Sequence, residues 1–249
     1  MILLLGGTAE ARSLAERLEA AGANFTSSLA GRVAQPRLPV GETRIGGFGG
    51  VEGLRAHIRE NKVTAVIDAT HPFAEGMSAN ALAACRADGV PLLRLERPGW
   101  GDAPDAAGWH WVDDHAGAAA TVARLGQRPF LTVGRQPIGE FTGPLADRAC
   151  LVRVVDPPDQ QFPEAWSLLL SRGPYALDSE LALMREHGAD VLVTKDSGGT
   201  WTWPKMAAAA ELGVSVVVVR RPRAPRHLEI TGDVDAAADW AVRGWAAGR

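Results

Sequence analysis

The chain has 249 residues, with 26 Lys and Arg against 29 Asp and Glu, a formal charge of −3, and 46% hydrophobic residues. That is ordinary globular composition, long enough for one large domain or two smaller ones with real cores. It lacks the basic excess of a general nucleic-acid binder, and no apolar run approaches the roughly 20 residues that cross a bilayer.

Residues 1–5 are apolar and have no basic n-region, so they read as a buried strand and not as a signal peptide. Residues 9–20 place Ala11, Leu14, Ala15 and Leu18 on one helical face, and Gly22 suits the helix end. Strands are expected at 24–29, 43–45, 64–68 and 91–95, and helices at 51–59 and 74–87. A segment rich in Pro, Gly and Asp follows over 97–108, and the pattern then restarts. Strands are expected at 109–112, 130–133, 150–155, 167–170, 191–194 and 214–219, and helices at 115–125, 179–187, 206–211 and 235–246. The alternation predicts an α/β fold: two Rossmann-like domains with mostly parallel sheets and a cleft between them. The expected division is 1–113 for a cofactor domain and 114–249 for a substrate domain. Cys85 and Cys150 lie far apart without metal-ligand spacing. They read as reduced, buried thiols of a cytoplasmic protein, with no metal site.

The first strand runs into Gly6-Gly7-Thr8-Ala9-Glu10-Ala11 at a helix start. Glycines let the backbone approach a phosphate, and a helix N-terminus offers free N–H donors. The dinucleotide fingerprint G-x-G-x-x-G/A is incomplete, because Thr8 stands at its middle position. Thr8 either caps the helix or donates its hydroxyl to a phosphate. From Ala20 to Gly41 there is no acid to hold a ribose 2′-hydroxyl, whereas Ser27, Ser28 and Arg32 follow the second strand. Arg32 suits a 2′-phosphate, so NADPH is the expected cofactor. A second cluster, Gly46-Gly47-Phe48-Gly49-Gly50, gives flexible backbone where a cofactor would pass.

Asp68-Ala69-Thr70-His71-Pro72 leaves the carboxyl end of a buried strand, the edge where α/β sheets bind ligands. His71 either donates a proton near neutral pH or caps the next helix. In the second half, strands end at Thr132-Val133-Gly134-Arg135-Gln136, Ser171-Arg172-Gly173 and Thr194-Lys195-Asp196-Ser197-Gly198, with Lys205 beyond. Arg135, Arg172, Lys195 and Lys205 would line one sheet edge and suit a polyanionic ligand, unless acids such as Asp196 pair with them. Trp100, Trp109 and Trp111 read as packing residues.

These stretches, in order from residue 5 to 205, resemble the precorrin-6A reductase family of cobalamin biosynthesis. The most specific are Asp68-Ala69-Thr70-His71-Pro72-Phe73 and Thr194-Lys195-Asp196-Ser197-Gly198-Gly199. Trp201-Thr202-Trp203 is bulkier than that family's pattern leads one to expect. The resemblance implies NADPH-dependent reduction of precorrin-6A to precorrin-6B by hydride transfer to a ring double bond. On the residues read above, the expected cofactor contacts are Gly6, Gly7, Thr8, Ala9, Arg32, Gly46, Gly47, Phe48 and Thr70, with His71 catalytic. The anionic tetrapyrrole would meet Arg135, Gln136, Ser171, Arg172, Lys195, Ser197, Gly198 and Lys205. Two alternatives stay open: a cobalt-precorrin-6A reductase, and a module that binds NADPH without turnover.

Overall fold

The computed structural model describes residues 1–31, 35–225 and 228–247. In chain order the elements begin with β1 (Ile2–Leu5), α1 (Ala9–Ala20), β2 (Phe25–Leu29), β3 (Glu42–Ile45), α2 (Gly50–Glu60), β4 (Ala65–Asp68), α3 (Glu75–Asp88) and β5 (Leu92–Leu95). Next come β6 (His110–Val112), α4 (His115–Leu125), β7 (Pro129–Leu131), α5 (Gly139–Thr142), β8 (Leu151–Val154), β9 (Ser167–Leu170) and α6 (Leu177–His187). The chain closes with β10 (Val191–Lys195), α7 (Pro204–Leu212), β11 (Ser215–Val219), β12 (Glu229–Thr231) and α8 (Val234–Ala247). None of the described helices is long and apolar enough to cross a membrane.

The strands form two six-stranded parallel sheets, ordered β12-β5-β4-β1-β2-β3 and β6-β11-β10-β7-β8-β9. Each sheet winds outward from its centre in both directions. The order therefore reverses between β1 and β4 in one sheet, and between β7 and β10 in the other. Such switch points leave a crevice at the carboxyl ends of the central strands.

The division of the chain differs from a cut at residue 113. One unit holds residues 1–98 and 222–249, and the other holds 99–221. The reason lies in two short strands. β6 pairs with β11 and so belongs to the second unit, while β12 pairs with β5 in the first. α8 then packs its Ala237, Ala238 and Ala241 against Ile2, Leu14 and Leu18 of the first unit. β12 is only Glu-Ile-Thr, half-exposed to exposed, and offers no apolar run to read.

Continuous apolar strands make sense because both sheet faces are covered. In unit 1, Ile2 and Leu4 face α1 and α8, while Leu3 and Leu5 face the other way, toward Leu54, Ile58, Ala81 and Ala84 of α2 and α3. In unit 2, Phe130, Leu192, Val216 and Val218 pack on Leu181, Met184, Met206 and Ala209 of α6 and α7. Trp100, Trp109 and Trp111 join that core, as their sequence setting leads one to expect. Cys85 and Cys150 are buried and free, and burial pushes each thiol up to about 12.

Candidate active site

The β1–α1 turn is built by its residues in sequence. Gly7 adopts φ +120°, a region that other residues rarely enter, and a Cβ there would meet nothing within 4 Å. Open space thus lies beside Gly7, two residues before α1 begins. Thr8 is the N-cap: its Oγ1 accepts from Ala11 N at 3.1 Å and donates to Ala69 O at 2.8 Å. Both roles of the hydroxyl are therefore structural, and of the two readings of Thr8 the cap is the one seen. The bond to Ala69 ties the glycine turn to the end of β4, across the switch point.

The end of β4 is held from within. Asp68 Oδ1 accepts from Thr70 N at 3.1 Å and Thr70 Oγ1 at 2.6 Å, and Oδ2 forms a tight ion pair with Arg94 of β5. Arg94 also donates to Ser78 Oγ at 2.7 Å and pairs with Glu96. Asp68 and Arg94 are 1% and 3% exposed, so this pair is interior framework and not a binding surface. Thr70, expected among the cofactor contacts, donates its hydroxyl proton to Asp68. His71 projects beyond this framework and is partly exposed. Its Nδ1 accepts from Phe73 N at 3.2 Å, which places the proton of the neutral ring on Nε2. The local cap and a donor role thus occupy different ring nitrogens.

The second glycine cluster follows β3. Gly46, Gly49 and Gly50 have φ +125°, +80° and +86°. Its organiser is Arg44, which the sequence reading passed over. Arg44 donates to Ser28 Oγ at 2.8 Å, Gly46 O at 3.0 Å and Gly47 O at 3.1 Å, and its guanidinium stacks 3.9 Å from the Phe48 ring centre. Gly53 was also missed. A Cβ there would lie 1.7 Å from the Phe48 carbonyl oxygen, so the loop needs glycine inside α2. Arg32 lies outside the described residues.

In unit 2 the expected residues gather at the carboxyl edge of parallel strands. Arg135 and Gln136 follow β7, Ser171 and Arg172 follow β9, and Lys195 ends β10, with Ser197 and Gly198 next. Lys195 Nζ stands 3.5 Å from where a Cβ on Gly134 would be, so the β7 and β10 ends meet at the switch point. Arg172 and Gln136 are exposed, and Arg135 and Lys195 are partly buried. Asp196 accepts from Trp100 N at 2.8 Å and pairs with Arg221.

Lys205, expected among the cations of the sheet edge, lies in the interior. It is 3% exposed, donates to Thr202 O at 3.1 Å and lies 5.0 Å from the Trp100 ring centre. A helix start at Pro204 turns its side chain inward. Burial, with Arg153 next, lowers its pKa to about 7. Burial also lowers Lys195 to about 8. His115, at the start of α4, was not singled out from sequence. Burial and then the charge of Lys195 lower it to about 4, so at neutral pH it is an uncharged neighbour of that lysine.

Comparison with known proteins agrees with this layout from end to end. The profile of the precorrin-6x reductase CbiJ/CobK family matches residues 1–242. The chain is 50% identical over 240 residues to a precorrin-6A reductase of Rhodococcus erythropolis, covering 96% of each protein. It is 47% identical over 241 residues to that of Mycobacterium tuberculosis, again covering 96% of each. A solved structure of a CobK precorrin-6A reductase superposes with a TM-score of 0.89 at 37% identity, over 98% of this chain and 96% of that one. Two parallel sheets wound about their switch points are thus a fold shared with a solved precorrin-6A reductase, and the chain belongs to the precorrin-6x reductase CbiJ/CobK family.

Proposed function

We propose that the chain reduces precorrin-6A to precorrin-6B with NADPH as the hydride donor. The observation that carries this reading is the likeness to precorrin-6A reductases along 96% of the chain. The glycine turn fits the cofactor, because Gly7 leaves exposed backbone open just before α1, where any side chain would intrude. There the first N–H groups of α1 and the positive end of its dipole would hold the pyrophosphate. Gly6 and Ala9 would flank that approach, and Gly46, Gly47 and Phe48 would border the adenosine side; Arg32, expected from the sequence to meet the 2′-phosphate, lies outside the described residues.

When bound, NADPH supplies the hydride, and the chain supplies position and the proton. Reducing a ring double bond adds hydride to one carbon and a proton to its neighbour. His71 is assigned as donor in its imidazolium form, in which Nδ1 gives up the bond from Phe73 N: passing the Nε2 proton to the ring carbon leaves the imidazole neutral, and loss of His71 lowers turnover. The acetate and propionate groups of the ring are held by Arg135, Arg172 and Lys195, with Gln136, Ser171, Ser197 and Gly198 as neutral partners. Lys205 acts from beneath this surface, as a positioning group for the β10–α7 turn.

The test is anaerobic mixing of the protein and NADPH with precorrin-6A. Loss of NADPH absorbance with the metal-free ring is the expected result. Turnover of the cobalt-bearing ring alone would place the chain in the other branch, and tight NADPH binding without oxidation would make it a sensing module.

A pH profile follows from Lys195. With its pKa lowered to about 8, the lysine is charged below that pH and neutral above it. Attraction for a ring carboxylate is therefore present below pH 8 and lost as pH rises through it. The kcat/KM for the tetrapyrrole, which reports the free enzyme, falls over that range. Lys195→Arg keeps its charge and moves the fall upward. Lys195→Met lowers kcat/KM by about 10- to 100-fold at pH 7, the equivalent of roughly 1.5–3 kcal/mol for one charge-assisted bond. An unchanged pH profile in Lys195→Met would assign the titration to another group.

A further inference from the structure

We propose that Arg44 reads the 2′-phosphate of NADPH, a specificity contact that rests on the cofactor reading above. Arginines in the framework of this chain are neutralised: Arg94 by Asp68 and Glu96, Arg153 by Glu180, Arg97 by Glu10, and Arg55 and Arg59 by Asp88. Arg44 is half-buried, and among the described residues it meets no carboxylate. Its partners are the neutral oxygens of Ser28, Gly46 and Gly47 and the face of Phe48. Burial lowers its pKa. A guanidinium carries five N–H donors, so the bonds to these oxygens leave donors over for a ligand. The guanidinium is meanwhile fixed in orientation by three hydrogen bonds and one stacked ring.

Position names the anion. Arg44 lies directly across from Ser28 in the β2–β3 register, near the carboxyl ends of both strands. The pyrophosphate site lies at β1, with β2 and then β3 beside it. Strands are spaced by about 4.8 Å, so β3 stands roughly 10 Å from the first glycine turn. That is too far for the same phosphates, and it is the direction in which the adenosine ribose extends in this fold class. An NAD-type site puts an acid at the end of β2, whereas here β2 ends in Ser27-Ser28-Leu29 with Arg44 bonded to the second serine. A fixed, planar, uncompensated guanidinium at that place suits a phosphomonoester, which it can grip by two parallel bonds. Phe48 supplies the stacking surface that holds the plane, which gives the second glycine cluster its aromatic residue a purpose.

The test compares ligands that differ only in the phosphate. Wild type and Arg44→Met are titrated calorimetrically with NADPH, NADH, 2′,5′-ADP and 5′-AMP. Wild type is expected to prefer NADPH over NADH and 2′,5′-ADP over 5′-AMP. Arg44→Met is expected to lose about 30-fold in affinity for NADPH and 2′,5′-ADP, with changes under about threefold for NADH and 5′-AMP. Arg44→Gln can keep bonds to the loop carbonyls without the charge, and it carries the same expectation should the Met variant fold poorly. Equal losses for NADPH and NADH would make Arg44 a support of the loop and overturn the assignment, as would unchanged NADPH affinity. A wild type that lacks any NADPH preference would fail the cofactor reading itself, and Arg44 would then have no discrimination to carry.

Discussion

Gly7→Val is expected to abolish NADPH binding while the chain stays folded. Gly7 sits at φ +120°, so any other residue there is strained. Strain of this kind costs of order 1–3 kcal/mol, which a domain of this size can absorb. Nothing in the protein lies within 4 Å of the added Cβ, so no packing is lost. What the side chain fills is the space before the α1 N-terminus, where the cofactor phosphates would come. Losing two charge-assisted bonds there, at roughly 1.5–3 kcal/mol each, amounts to at least about 100-fold in affinity. Calorimetric titration reads the loss, and circular dichroism with a thermal melt reads the fold. Normal NADPH binding by a folded Gly7→Val chain would reduce the turn to a connection.

The strand–helix alternation was legible because both sheets are parallel and covered on both faces. Each central strand is a short apolar run, and each covering helix shows its buried face at helical spacing. The three-residue strand β12 was not legible. β12 has no apolar run, yet it decides which unit receives α8. A domain boundary drawn along the chain cannot show a segment that leaves one unit and later returns.

The site was legible where glycines and strand ends coincide, as at Gly6-Gly7-Thr8 and Thr194-Lys195. It was less so where polar residues turn inward. Thr8, Thr70 and Lys205 were chosen for their chemistry, and the structure gives each of them an internal partner. Arg44 and His115 were missed because a lone Arg in a short strand and a lone His after an Asp carry no pattern. Arg94 did leave a trace: a cation inside Leu92-Leu93-Arg94-Leu95 needs a buried acid, and Asp68 is its register partner in β4.

That pair carries the second large expected effect. Arg94→Met is expected to destabilise the chain by about 3–5 kcal/mol, because it strands the Asp68 carboxylate without its counter-charge. Asp68 keeps the two donors of Thr70, and these do not neutralise it. Glu96 also loses Arg94, but it is partly exposed and water can replace the guanidinium. Adding Asp68→Asn to Arg94→Met removes the buried charge itself, so the double variant should recover part of the loss. Urea unfolding of the two single variants, the double variant and wild type closes a double-mutant cycle, and a coupling above about 1 kcal/mol is expected for groups in direct contact. The consequence reaches the active site through the chain. His71 follows Asp68 by three residues, and Ala69 between them holds the Thr8 hydroxyl. Loosening Asp68 therefore loosens both the proposed donor and the cofactor turn, and kcat should fall in Arg94→Met even at temperatures where it is fully folded. If Arg94→Met instead loses under about 1 kcal/mol and keeps its turnover, the β4 end is held by the Thr70 and Ala69 bonds alone, and the ion pair is incidental to the site.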